Sequence, residues 1–178
     1  MCTGNHLSIS TWGEHLGKYK NCPMLTARLD RTKTAVLVVE DSPEVQRYLR
    51  TLLELDSYHT EVASTGEEAL QWLSQGYDPA VVLLDMQMPG MDGLQTLQRL
   101  RELRPELKVI MCSGVDDPEK IGQAEALGAH AYLIKPVQHL YLSAAVERCL
   151  TGEAIDETRS TPKARVVTLP VRDPYRPN

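Results

Sequence analysis

AVVLLDMQMPGMDG, residues 80–93, decides how this chain folds. Ala80 to Leu84 are apolar without alternation, the mark of a strand buried on both faces of a parallel sheet. Asp85 closes that run. Pro89, Gly90 and Gly93 then supply turn residues, read as ordinary loop punctuation. Directly afterwards the period changes to that of a helix, with Leu94, Leu97, Leu100 and Leu103 on one stripe. Fourteen residues thus hold the end of a buried strand, an acidic strand terminus and the entry to a helix.

The same unit repeats on both sides. Upstream, Ala35–Val39 is a second continuous apolar strand, and Pro43–Leu55 follows with helical spacing. Pro43 suits the first turn of that helix and Ser42 its cap. His59–Ser64 is shorter and more polar, fit for a sheet edge, and Gly66–Ser74 is helical. Downstream, Val109–Cys112 and His130–Ile134 read as strands. Pro118–Leu127, ended by Gly128, and Leu140–Leu150 read as helices. Five strand–helix units argue for one parallel sheet covered on both faces, with right-handed crossovers.

Composition agrees. The chain has 178 residues, 42% of them hydrophobic, which is enough for a core. Phe is absent, so that core must come from aliphatics and Tyr. The net charge of -5 disfavours a groove that wraps nucleic acid by bulk charge. No apolar run approaches a membrane span and no export signal opens the chain, so the expected compartment is the cytoplasm. Cys2, Cys22, Cys112 and Cys149 form no CxxC pair. Cys112 and Cys149 fall in apolar patterns and read as small core residues.

Charge divides the chain into three. Residues 1–33 carry five basic and two acidic side chains, residues 34–150 nine and eighteen, and residues 151–178 five and four. An acidic domain over 34–150 is expected between an irregular N-terminal extension, 1–33, and a Pro-rich flexible tail, 151–178. Within the tail, Arg165–Val171 suits a short strand, but only against a partner. Met24 is an alternative start. Cys2, His6, His15 and Cys22 match no standard zinc spacing and read as loose polar residues.

In parallel sheets ligands bind at the carboxyl ends of the strands, so those ends are where chemistry is sought. The first strand ends in Glu40 and Asp41, the third in Asp85, the fourth in Ser113 and the fifth in Lys135 and Pro136. Any one of these is unremarked as a cap or a solvated group. Together they place three carboxylates, a hydroxyl and an ammonium on one edge. Such carboxylates repel unless a cation offsets them, and a hard oxygen set suits Mg²⁺.

VVEDSP (38–43), LLDMQMPGMDG (83–93), MCSG (111–114) and YLIKP (132–136) together resemble the response-regulator receiver domain, over about 34–150. The resemblance implies a flavodoxin-like doubly wound five-stranded parallel sheet of order 2-1-3-4-5, with helices on both faces. It implies that Asp85 accepts a phosphoryl group from a histidine kinase or a histidine phosphotransfer protein. Asp41 corresponds to a direct Mg²⁺ ligand, Glu40 to a neighbour acting through water, and Gln87 to the residue whose backbone carbonyl completes the protein's share of the metal shell. Ser113 and Lys135 correspond to the groups that bond the phosphoryl oxygens. Tyr132 corresponds to the aromatic that turns inward on phosphorylation, with Ser113 its partner in the switch. The Lys135–Pro136 bond is cis in the family pattern.

Departures shape the remaining expectations. Ser113 stands where Thr is commoner, and Val137 where an aromatic is frequent. The resemblance implies that Gln87 and Val115 occupy positions that tune phosphoryl lifetime, and Val115 cannot orient water, which predicts slow self-hydrolysis. The stretch Gly128–Tyr132 lacks the acidic residues of the transcription-factor branch. Only 28 residues follow Leu150, so a stand-alone receiver is expected, signalling to an unidentified downstream protein through the fourth helix, fifth strand and fifth helix. A phosphorylation-dependent homodimer stays open; direct nucleic-acid and membrane binding are not expected. A haloacid-dehalogenase-type enzyme would need a second Asp where Gln87 stands. A phosphorylation-independent scaffold is disfavoured by the intact set Glu40, Asp41, Asp85, Ser113 and Lys135. The reading is therefore a signalling module rather than an enzyme, with only weak Mg²⁺-dependent self-phosphorylation and self-dephosphorylation.

Overall fold

Strand and helix alternate because the apolar period alternates between continuous runs and helical stripes. In the computed structural model, residues 31–114, 116–152 and 166–168 are described. The order is β1 (Ala35–Val39), α1 (Pro43–Leu55), β2 (His59–Ala63), α2 (Gly66–Ser74), β3 (Val81–Asp85), α3 (Gly93–Leu103), β4 (Lys108–Ser113), α4 (Pro118–Ala126), β5 (Ala131–Ile134), α5 (His139–Thr151) and β6 (Val166–Thr168). Five strands run parallel in the order β2-β1-β3-β4-β5. This is the flavodoxin-like doubly wound arrangement, with β2 at one edge.

Successive strand residues feed opposite cores. Leu37, Val39, Val82, Leu84, Val109, Met111 and Tyr132 pack with Ala69 and Leu73 of α2, Leu97 and Leu100 of α3 and Ala124 of α4. Val36, Val38, Val81, Leu83, Ile110, Cys112 and Leu133 pack with Leu49, Leu52 and Leu53 of α1 and Leu142, Val146 and Cys149 of α5. Each buried aliphatic contributes about 1.5–3 kcal/mol. The uninterrupted hydrophobicity of the central strands follows from this two-sided burial.

Several boundaries move outward from the apolar runs. β3 takes in Asp85 and β4 takes in Lys108 and Ser113, because the ladder continues through Val81↔Lys108, Asp85↔Cys112 and Ser113↔Ile134. Ser42 sits at the start of α1, but its hydroxyl donates to Glu44 (3.1 Å) and caps no backbone amide. The expected cap is thus replaced by a local side-chain bond. Before β1 a 3₁₀ turn, Arg31–Lys33, is held by Arg31, which pairs with Glu147, lies 3.9 Å from Asp56 and stacks over Tyr58.

One stretch of the tail answers the reading that it suits a short strand only against a partner. Val166–Thr168 forms β6, antiparallel to β5, in the register Leu133↔Val166, Tyr132↔Val167 and Ala131↔Thr168. The partner that this strand requires is the open edge of β5 in the same chain. The readings placed on Cys2, His6, His15, Cys22, Met24 and Val115 lie outside the described residues.

Candidate functional site

The parallel ladder brings the ends of β1, β3, β4 and β5 to one edge. Glu40 follows β1 and is 2% exposed; Asp85 ends β3 and is 4% exposed. Asp41 is exposed beside them. Carboxylate oxygens of Glu40, Asp41 and Asp85 all lie within 4.8 Å of one another. Buried carboxylates this close require compensation. Lys135, following β5, provides it: its Nζ donates to Glu40 Oε2 at 2.6 Å and to Asp85 Oδ1 at 2.7 Å. These distances are those of charge-assisted bonds.

The electrostatics follow from that geometry. Burial raises the Glu40 carboxyl above its ordinary value, and the Asp85 charge adds to this, while Lys135 and the Ser42 amide oppose it. Burial alone would lower the Lys135 ammonium. Its bonds to Asp85 and Glu40 outweigh burial and raise it. Lys135 therefore stays charged at neutral pH. Three carboxylates against one ammonium leave a formal charge of -2. An oxygen-lined cluster of that charge, open on the Asp41 side, fits a small hard divalent cation.

The backbone is fixed around this cluster. Gln46 Nε2 donates to the Glu40 carbonyl at 2.6 Å. Met86 N donates to the Cys112 carbonyl at 2.8 Å, and Lys135 N to the Ser113 carbonyl at 2.7 Å. The Lys135–Pro136 peptide is cis. Ser113 is fully buried, and Tyr132, also fully buried, shares a hydrogen bond with it. Tyr132 thus already occupies the inward position.

The loop after Asp85 is anchored by residues that the sequence did not single out. Met86 and Met88 are buried on either side of exposed Gln87. Gly93 is more than punctuation. A Cβ there would stand 2.2 Å from the Asp85 carbonyl oxygen and 2.7 Å from Met86 Cα, and Gly93 N donates to the Met86 carbonyl at 3.0 Å. Any side chain would push the loop off the end of β3. Pattern reading misses this because the clash is with backbone eight residues away.

Fold and site together define a class: an open α/β sheet with a partly buried acid–ammonium cluster at the carboxyl ends of its strands. The chain belongs to the response regulator receiver domain family, whose model matches residues 36–147. It is 33% identical over 117 residues to the chemotaxis protein CheY of Halobacterium salinarum, covering 66% of this chain and 97% of that protein. It is 32% identical over 129 residues to the nitrate/nitrite response regulator NarL of Escherichia coli, covering 71% of this chain but 59% of NarL. Among solved structures it resembles the response regulator TrrA of Thermotoga maritima in complex with Mg²⁺-BeF, with a TM-score of 0.60 and 28% identity over 66% of this chain and 99% of that one. The protein is a phosphorylatable receiver of two-component signalling. Among the described residues no helix is long and apolar enough to cross a membrane.

Proposed function

We propose that Asp85 is the phosphoacceptor of this receiver and that residues 34–150 are its working unit. The observation that carries this is the buried Glu40–Lys135–Asp85 bridge at 2.6 and 2.7 Å. It aims a carboxylate from a rigid strand end and sets an ammonium beside it. A carboxylate is a weak nucleophile, so its orientation and the neutralisation of the incoming charge supply most of the rate.

In the proposed step an oxygen of Asp85 attacks phosphorus in line. The bond from phosphorus to the donor imidazole nitrogen breaks, and its electron pair stays on that nitrogen, which takes a proton from solvent. An acyl phosphate on Asp85 is the product. Lys135 gives up one Asp85 contact and bonds a phosphoryl oxygen. The Ser113 hydroxyl donates to another phosphoryl oxygen. Asp41, Asp85, the backbone carbonyl of Gln87 and, through water, Glu40 would hold Mg²⁺, which when bound supplies positive charge against those oxygens.

The donor is a histidine kinase or a histidine phosphotransfer protein, and the setting is the cytoplasm. The output is a change in the face formed by α4, β5 and α5, read by a protein partner. The module has no substrate turnover of its own beyond weak loading from small phosphodonors and self-hydrolysis. The test is intact mass after incubation with acetyl phosphate, with and without Mg²⁺. A single Mg²⁺-dependent phosphoryl adduct, lost in Asp85→Asn, is expected. No adduct from acetyl phosphate or from phosphohistidine donors would overturn the assignment.

A further inference from the structure

β5 would be the exposed edge of the parallel sheet if β6 were not there. It is a short strand, Ala131–Ile134, with neither charge nor proline to discourage pairing. Natural edges normally carry such protection. Here the edge is occupied by Val166–Thr168, three β-branched residues followed two positions later by Pro170. The segment has strand chemistry and little else, the composition of an added strand in β-augmentation. It runs antiparallel in a sheet whose other pairings are parallel. It therefore enters opposite Leu133, near the end that carries Lys135, and leaves opposite Ala131.

The central pair of this short ladder is Tyr132↔Val167. Tyr132 is the residue whose hydroxyl meets Ser113, and Ser113 follows Cys112, the β4 partner of Asp85. The backbone of β6 lies along the edge directly beside Tyr132. We propose that the β5 edge is a strand-binding site occupied by this chain's own Val166–Thr168, and that the bound strand holds Tyr132 inward, the arrangement a loaded Asp85 favours. This rests on the receiver reading above. By linkage, whatever favours the same arrangement favours loading, so the tail strand promotes phosphorylation at Asp85.

The test uses the full chain and a full chain carrying Val166→Pro and Val167→Pro. Neighbouring amides point to opposite sides of a strand, so the double substitution removes a donor facing β5 whatever the local hydrogen-bonding pattern. Three readouts are taken: amide hydrogen exchange in β5, nitration of Tyr132 by tetranitromethane located by peptide mass, and the rate of acetyl-phosphate loading by intact mass. In the variant, β5 amides are expected to exchange at least about tenfold faster. Tyr132 becomes nitratable, and loading slows by about fivefold or more. Exchange in β1 and β3 should be unchanged, and Val167→Gly, which keeps every donor, should fall between the two chains.

Equal β5 exchange and equal nitration in both chains would overturn the proposal outright. A variant with exposed Tyr132 but unchanged loading would overturn the coupling while leaving the receiver reading intact. Failure of the wild-type chain to load at all, from either class of donor, would sink the receiver reading and the coupling with it. Loss of β5 protection on dilution of the wild type would show that the strand comes from a second copy, which also overturns the assignment to the chain's own tail.

Discussion

Two half-buried cations sit at opposite ends of the same sheet. At the carboxyl end, Lys135 is held by Glu40 and Asp85. At the amino end, Arg101 of α3 donates through Nη1 to the carbonyls of Pro105 (2.7 Å) and Leu107 (2.6 Å), and through Nη2 to the carbonyl of Gly128. Its Nη2 also lies 3.1 Å from Nδ1 of His130. The first cation is balanced by charges, the second by neutral oxygens. A cation among carboxylates can exchange partners when a phosphoryl group or a divalent ion arrives. One among carbonyls has nothing to exchange with and simply ties α3, the β4 approach and the β5 approach together. The lower end is a rivet; the upper end is where the molecule can respond.

The largest test of that contrast is Asp85→Asn. It should abolish the phosphoryl adduct in intact mass while leaving the thermal transition cooperative, since the amide keeps the shape beside Lys135. Arg101→Met should do the reverse. It strands the carbonyls of Leu107 and Gly128, whose bonds to Arg101 are partly buried, and is expected to cost about 2–4 kcal/mol in denaturant unfolding. The loading rate per folded molecule should stay within about twofold. Parallel loss of loading and stability in Arg101→Met would erase the distinction between the two ends.

Acid sharpens the comparison, because the ends answer it with opposite sign. Burial, with the Arg101 and Lys108 charges added, pushes the His130 ring down to about 4. Between that value and the ordinary 6.5 the unfolded chain binds a proton that the folded one does not. Stability is thus complete above about 6.5 and is lost as the pH falls toward about 4. The ceiling is about 3 kcal/mol, reduced by solvent because the ring is only half-buried. His130→Gln should flatten the melting-temperature profile in that window. Glu40, raised by burial, binds its proton first in the folded chain, so its contribution falls as the pH rises from 4.5 through its folded value. Glu40→Gln should therefore make the chain relatively more stable at neutral pH than in acid.

The smallest expected effect is that of Mg²⁺. At about tenfold excess over its dissociation constant the ion should stabilise the fold by about 1.4 kcal/mol, some 5 °C in melting temperature. Asp41→Asn should remove that increment, and since Asp41 is exposed the substitution should leave metal-free stability nearly unchanged. A full Mg²⁺ shift in this variant would detach Asp41 from the cation site.

How much of this was legible beforehand depends on whether a feature is local. The strands announced themselves because two-sided burial forces continuous apolar runs. The positions of Glu40, Asp41, Asp85, Ser113 and Lys135 could be read because parallel strands deliver their carboxyl ends to one edge. Arg101 could not be found, since an arginine on a helix gives no sign of which distant carbonyls it will meet. Gly93 looked like turn punctuation because its constraint is a contact with β3 backbone. Ser42 looked like a cap until Glu44 took its hydroxyl. β6 needed an edge to pair with, and the edge exists only once the sheet is assembled.

Cys112 is the register partner of Asp85, immediately before Ser113, and its thiol is pushed up to about 12 by complete burial. Cys149 is likewise raised, to about 11. Oxidants and electrophiles react with the thiolate, and neither residue forms one at neutral pH. Sulfur packed against the back of the site is thus chemically silent. Peroxide or an alkylating agent should leave both core cysteines unmodified, and the described core carries no redox input that could be mistaken for the phosphoryl signal.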